Sequence, residues 1–241
     1  MIGIGTVLNA LGILLGGILG LVLTKPFVPK QQTALKGLLG VFTVYFGLKM
    51  TWMSLGGGVG MIFKQLTILL LSLILGRIVG RLLRLQKALN HVGQFAKSKL
   101  VAATTVPPRG VADGFLTCAL LYCTAPIALL GAVLDGLQGY WQPLALKALI
   151  DGLAAMAFVT TFGWGVLLSA IPVLAYQGTL TLCAASLSPF LREHALLDSV
   201  NATAGLLVFC VALIILELKR IELADYLPSL FFAPLLAAWW R

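Results

Sequence analysis

The sequence predicts an all-α, polytopic helical membrane protein of seven or eight transmembrane helices, and three observations predict it. Of 241 residues, 60% are hydrophobic and only 10% are charged, where a soluble domain carries about 25% charge. The mean hydropathy is +1.02. Runs of roughly 20 apolar residues, long enough to cross a bilayer, recur from one end of the chain to the other. These observations exclude a soluble globular domain, a disordered chain, a collagen-like repeat and a small disulfide scaffold.

The first span is residues 2–24. It has no basic n-region and no small-residue cleavage site, so it reads as an integral helix rather than a signal peptide. Gly5, Asn9, Gly12, Gly16 and Gly20 recur at helical spacing on one face. Such a stripe lets another helix approach closely. Packing is the favoured reading, and the amide of Asn9 on the same stripe makes a ligand pathway the sharper one. The second span is about 34–55, and a turn from Gly56 to Gly60 leads into the third, about 61–83. Gly76 and Gly80 repeat the small-residue spacing, while Arg77, Arg81 and Arg84 share a face as that helix leaves the membrane. The basic segment 85–109 follows. It is expected to be cytoplasmic and to lie against anionic lipid headgroups. With no aromatic interleaving, it gives no reason to expect nucleic acid.

The fourth span, about 110–134, is interrupted by Pro126. The polar turn from Asp135 to Gln142 leads into a tract holding two helices, about 143–162 and 166–187, with Gly163 and Gly165 at their join. The seventh span is about 199–216. The last apolar stretch, 226–240, is short, carries Pro228 and Pro234, and ends in Trp239 and Trp240; steep crossing and re-entry are both open to it. The whole of 1–241 reads as a single membrane domain. Its candidate halves are 1–84 and 110–241, and three spans before the basic segment would make them inverted repeats, as in many transporters.

Charge sets the expected orientation. The loops at 25–36, 77–109 and 217–225 hold 3, 7 and 2 of the 17 bases. If every span crosses, these loops share one side, which the positive-inside rule makes the cytoplasm and which leaves the N-terminus outside. Cys118, Cys123, Cys183 and Cys210 lie in apolar stretches without metal-ligand spacing and read as small packing residues. His91 and His194 lack a partner at i+3 or i+4, so no metal site and no cofactor are expected.

Charge inside a membrane is costly and is usually paired or functional. Lys147 and Asp151 stand at i and i+4 on one helix face. With a helix starting at Pro143, Asp151 would be about 12 Å deep at 1.5 Å per residue. One reading is a self-neutralising salt bridge. The other is a cation or proton site at Asp151, tuned by Lys147. Asp113 and Asp135, at the two ends of the fourth span, are expected at the interface rather than buried. Pro126 and Pro172 are expected to interrupt helices and free the carbonyls of Tyr122 and Leu168. Ser169, Tyr176 and Gln177 surround the second break with polar groups. No enzyme is expected, since HExxH, GxSxG, a Walker loop and GxGxxG after a strand are all missing. An aspartyl protease dyad of Asp135 and Asp151 would lack its flanking motifs.

The segments GTVLNALGILLGGILG, FLTCALLYCTAPIALLGAVLDGLQG, LKALIDGLAAMAFVTTFGWGVLLSAIPVLAYQG and LPSLFFAPLL resemble, in that order, the bacterial membrane family known as domain of unknown function 554. The resemblance spans nearly the whole chain. Asn9, Asp135-Gly136, Lys147, Asp151-Gly152, Pro172 and Gln177-Gly178 stand where that family carries polar motif residues. The family pattern has a glycine before the proline of the fourth span, where this chain has Ala125. The resemblance implies a bacterial inner-membrane protein and supplies no substrate.

The reading that joins these observations is a small transporter or channel for an ion or small solute, with polar residues in broken helices lining the path. Its candidate residues are Asn9, Asp135, Lys147, Asp151, Ser169, Pro172, Tyr176 and Gln177. Because glycine stripes invite contacts between protomers, a homo-oligomer is expected. The alternative is a non-transporting scaffold or regulator acting through the basic segment.

Overall fold

A computed structural model describes residues 2–23, 29–105 and 111–240. In chain order the helices are α1 (Ile4–Val22), α2 (Pro29–Met53), α3 (Val59–Leu82), α4 (Leu85–Thr105), α5 (Val111–Thr124), α6 (Pro126–Gln138), α7 (Gln142–Phe162), α8 (Gly165–Leu168), α9 (Ala170–Glu193), α10 (Leu197–Ile215) and α11 (Ser229–Trp239). A 3-10 turn, Leu223–Tyr226, precedes α11, and no strand occurs among the described residues. The all-helical membrane class is what the composition requires.

Among the described residues, five segments are long and apolar enough to cross a membrane: α1, α3, α7, the stretch Gly165–Glu193 and α10. The α5–α6 pair makes a sixth if its two arms, bent by 62°, are one broken span. The other two expected spans form shorter apolar helices, Gly37–Met53 and Leu223–Trp239. The bend has a local cause. Pro126 is the first residue of α6, and Ala125 before it is extended at φ −64° and ψ 126°. A residue before proline avoids the α region, so the helix must stop there and restart. That φ is open to any residue, so the alanine in place of the family's glycine fits without strain.

The chain forms two compact units woven from alternating pieces. One is Met1–Pro29 with Ala88–Ser186; the other is Lys30–Lys87 with Leu187–Arg241. Neither coincides with the halves 1–84 and 110–241.

In the first unit, α1 lies along α7. A Cβ added at Gly12 would come to 2.5 Å from the Ala148 carbonyl oxygen, one at Gly16 would overlap the Gly152 carbonyl, and one at Gly20 would overlap that of Met156. The partners rise in step, 148, 152 and 156 against 12, 16 and 20, so α1 and α7 run parallel with their backbones in contact. Only residues without a side chain permit this approach. The glycine stripe therefore packs within the chain and not between protomers, which removes that argument for an oligomer. The opposite face of α1, with Leu11, Leu15, Ile18 and Val22, is exposed, as lipid contact requires. Below the stripe, Ile13, Cys118, Tyr122, Ala155, Val159 and Phe162 belong to one buried cluster. Cys183, by contrast, is exposed and fills no core position.

In the second unit, Gly47 of α2 faces the backbone of Gly205 and Phe209 on α10, and Gly40 faces Leu216. These pairs run in opposite order, so α2 and α10 are antiparallel. Gly76 and Gly80 meet Ser229 and Asp225, which makes α3 and α11 antiparallel as well. The second glycine stripe, too, is covered from within. Asp225 accepts a hydrogen bond from the Gln86 backbone N–H at 2.9 Å, and Gln86 Oε1 accepts one from the Ala224 N–H at 3.0 Å. That exchange fixes the first turn of α4.

Candidate functional site

A seam of buried polar groups runs through the first unit. At one end, Asp135 of α6 is fully buried and accepts backbone N–H bonds from Gly5 at 2.9 Å, Gly3 at 3.3 Å and Thr6 at 3.4 Å. The first N–H groups of a helix have no partner inside it and carry the positive end of the helix dipole. A carboxylate is their natural cap, here supplied by another helix. This corrects the expectation that Asp135 is not buried. An Asp-Gly at the end of an apolar run looks solvent-facing until a distant helix terminus arrives to claim it.

From there the seam passes to Thr6, which is 3.1 Å from the Thr181 hydroxyl of α9; Thr181 itself donates to the Ala132 carbonyl of α6 at 3.2 Å. One turn further along α1, Asn9 Nδ2 donates to Gln177 Oε1 at 3.1 Å. The Asn9 side chain also stands beside the Asp151 carboxylate, because α1 and α7 are in register at Gly12–Ala148 and Gly16–Gly152. Asp151 is paired with Lys147, both on α7 and both buried, with Lys147 only 1% exposed. The Lys147 ammonium is 5.9 Å from the centre of the Tyr122 ring, within range of a cation–π attraction.

The helices bring these side chains together by ordinary 3.6-residue geometry. Lys147 and Asp151 share a face of α7, as do Gln177 and Thr181 of α9, while Thr6 and Asn9 share the buried face of α1. Small residues on that face let the amide of Asn9 reach across to its partners. Three atoms of the seam stay unmatched. Asn9 Oδ1, Gln177 Nε2 and the Tyr122 hydroxyl are buried without a hydrogen-bond partner. A buried polar atom left this way costs about 1–3 kcal/mol. Whichever way the two amides are turned, their mutual bond uses one end of each.

Five of the eight sequence candidates are in the seam: Asn9, Asp135, Lys147, Asp151 and Gln177. The other three are not. Ser169 is buried but donates to the Val166 carbonyl at 2.6 Å, closing the join between α8 and α9. Pro172 is the third residue of α9, three residues past the interruption at Ser169 in the helical stretch Gly165–Glu193, and without an N–H it cannot bond the Leu168 carbonyl. Tyr176 is 36% exposed and stays outside the seam. Three members escaped the sequence reading: Thr6, Thr181 and Tyr122. The two threonines stand at i−3 from Asn9 and i+4 from Gln177, a spacing that could have flagged them.

The fold and this seam define a multi-pass α-helical membrane protein with a charged pair in its interior. The chain belongs to the family described as Protein of unknown function (DUF554), whose match covers residues 4–238. It is 29% identical over 240 residues to the Uncharacterized protein YqgA of Escherichia coli (strain K12), covering 98% of this chain and 97% of that one. It is 26% identical over 231 residues to the Uncharacterized membrane protein YdfK of Bacillus subtilis (strain 168), covering 95% and 93%. No solved structure matches the chain.

Proposed function

We propose that the protein is a transporter or channel for an ion or small solute, in the bacterial inner membrane, and that the seam of the first unit is its path. The observation that carries this reading is the ion pair itself. Lys147 and Asp151 are desolvated inside an apolar helical unit, at a cost of several kcal/mol per ion that an apolar pair would avoid. The seam continues from that pair to Asp135 at the end of α6, beside a helix broken at Pro126. Broken helices and polar side chains at depth are the parts from which membrane paths are built. The test is flux in proteoliposomes given proton, sodium and potassium gradients in turn. Protein-dependent flux of at least one ion is expected. The double variant Lys147→Gln with Asp151→Asn removes both charges without stranding either, and should reduce that flux to the protein-free rate. Flux unchanged in the folded double variant would refute the path.

Full burial of the pair also favours a second reading, a packing bridge in a non-transporting scaffold. On that reading α4 is the working part. Leu85, Leu89, Val92 and Ala96 share one face of it, while Lys87 and Lys97 are exposed on the other. In either case we propose that α4 lies on the anionic cytoplasmic leaflet. A homo-oligomer would have to use faces other than the two glycine stripes.

For topology we propose that every span crosses, the short ones included, with the N-terminus outside. Helix directions support this. Parallel α1 and α7 need an odd number of crossings between them, supplied by α2, α3 and the α5–α6 pair. Antiparallel α2 and α10, and α3 and α11, need even numbers, which the same scheme supplies. Single cysteines in a cysteine-free background test it with a membrane-impermeant thiol reagent. Trp141→Cys should label in intact cells and Lys97→Cys only after lysis; the reverse pattern would invert the assignment.

A further inference from the structure

We propose that the ion handled at this site is a proton taken up by Asp151, and that the Asn9–Gln177 amide pair turns end for end as Asp151 changes protonation. The proposal rests on the transport reading above and deepens it.

The ionised Asp151 carboxylate can only accept hydrogen bonds, so Asn9 must offer its N–H end. That is how Asn9 stands: its Nδ2 donates to Gln177 Oε1 at 3.1 Å, which leaves Asn9 Oδ1 and Gln177 Nε2 idle. A protonated Asp151 has the opposite need, because its O–H is a donor and requires an acceptor. Rotating each amide about its last torsion supplies one. Asn9 Oδ1 then accepts from the Asp151 O–H and from Gln177 Nε2, and the bond count is unchanged. The atoms idle in one state are the ones that work in the other. This gives the two unmatched amide atoms of the seam a reason to exist.

The proton step balances simply. An O–H bond of hydronium breaks as an O–H bond forms at Asp151, and a water molecule is left behind. On release the O–H breaks and the ammonium–carboxylate bond re-forms. While Asp151 is neutral, the Lys147 ammonium retains the face of the Tyr122 ring at 5.9 Å. The charged and titratable groups facing Asp151 are Lys147 on its own helix and Tyr122, Cys118 and Cys123 on α5. From α1 and α9 come the amides of Asn9 and Gln177. A metal cation would want a shell of several oxygens, and two of the groups nearest the carboxylate offer N–H donors instead. A proton needs one lone pair.

The experiment uses the full-length protein in liposomes with trapped pyranine, polarised inside-negative by potassium and valinomycin. Wild type should acidify the lumen faster than protein-free vesicles. The Lys147→Gln, Asp151→Asn double variant should match protein-free vesicles, and Gln177→Leu should slow acidification at least fivefold while remaining folded. Gln177→Leu at the wild-type rate would overturn the amide role. Sodium or potassium flux without proton flux would overturn the proton and leave the transport reading standing. If none of the three ions moves, the reading of the seam as a cation path fails and the proton proposal with it. An independent readout is infrared difference spectroscopy of purified wild type stepped across pH. A carboxylic acid band should appear together with side-chain amide changes, both missing in the double variant. An acid band with unmoved amides would again overturn the switch.

Discussion

Gly16→Leu should destabilise the protein by at least about 3 kcal/mol, the top of the usual range for overpacking. A Cβ at this position would overlap the Gly152 carbonyl and come within 2.7 Å of the Gly152 Cα. Those atoms are backbone on both sides of the contact. No rotamer can make room, so α1 and α7 would have to separate along the whole stripe. Separation would also pull Asn9 from Gln177 and the α1 N-terminus from Asp135, adding lost hydrogen bonds to lost packing. The control is Gly60→Leu, where a new Cβ meets nothing within 4 Å and the change should stay within about 0.5 kcal/mol. Thermal unfolding in detergent, followed by size-exclusion chromatography, compares the two. If Gly16→Leu unfolds with wild type, the α1–α7 backbone contact is not made.

The same helix shows how far the sequence reaches. Its stripe of glycines was readable, and so in principle was its mate, because Ala148, Gly152 and Met156 repeat the four-residue step of Gly12, Gly16 and Gly20. What periodicity cannot say is which stripe meets which, and the expectation of contacts between protomers failed on that point. Lys147 and Asp151 were legible because one helix turn joins them. Asp135 was not, since its partners are up to 132 residues away and its local surroundings look like an exposed turn. Pro126 and Pro172 make a matched contrast. Both follow apolar runs, but the first starts a new helix at its own position, after the extended Ala125, while the second stands three residues past the interruption at Ser169 in a stretch that continues from Gly165 to Glu193. Long apolar segments thus announce themselves, while the pairing of faces depends on contacts that no local window contains.

Lys147→Met should be strongly destabilising, by about 3–5 kcal/mol, because it leaves the Asp151 carboxylate buried without its counter-ion. Asp151→Leu should cost a similar amount by stranding the ammonium. Neither residue can escape to solvent, since Lys147 is 1% and Asp151 6% exposed. The cation–π contact with Tyr122 at 5.9 Å softens the second loss somewhat, at about 1–2 kcal/mol for a desolvated pair, so the lysine variant should be the worse of the two. The double change Lys147→Met with Asp151→Leu removes both charges and fills the space with carbon. It should be more stable than either single variant, a non-additivity that a double-mutant cycle of unfolding midpoints measures directly. This outcome concerns stability and holds whether or not the pair also moves a proton. Its partner measurement separates the two roles, because the double variant should fold well and carry no proton flux. Single variants as stable as wild type would mean that water reaches the pair, and the buried seam described here would then be wrong.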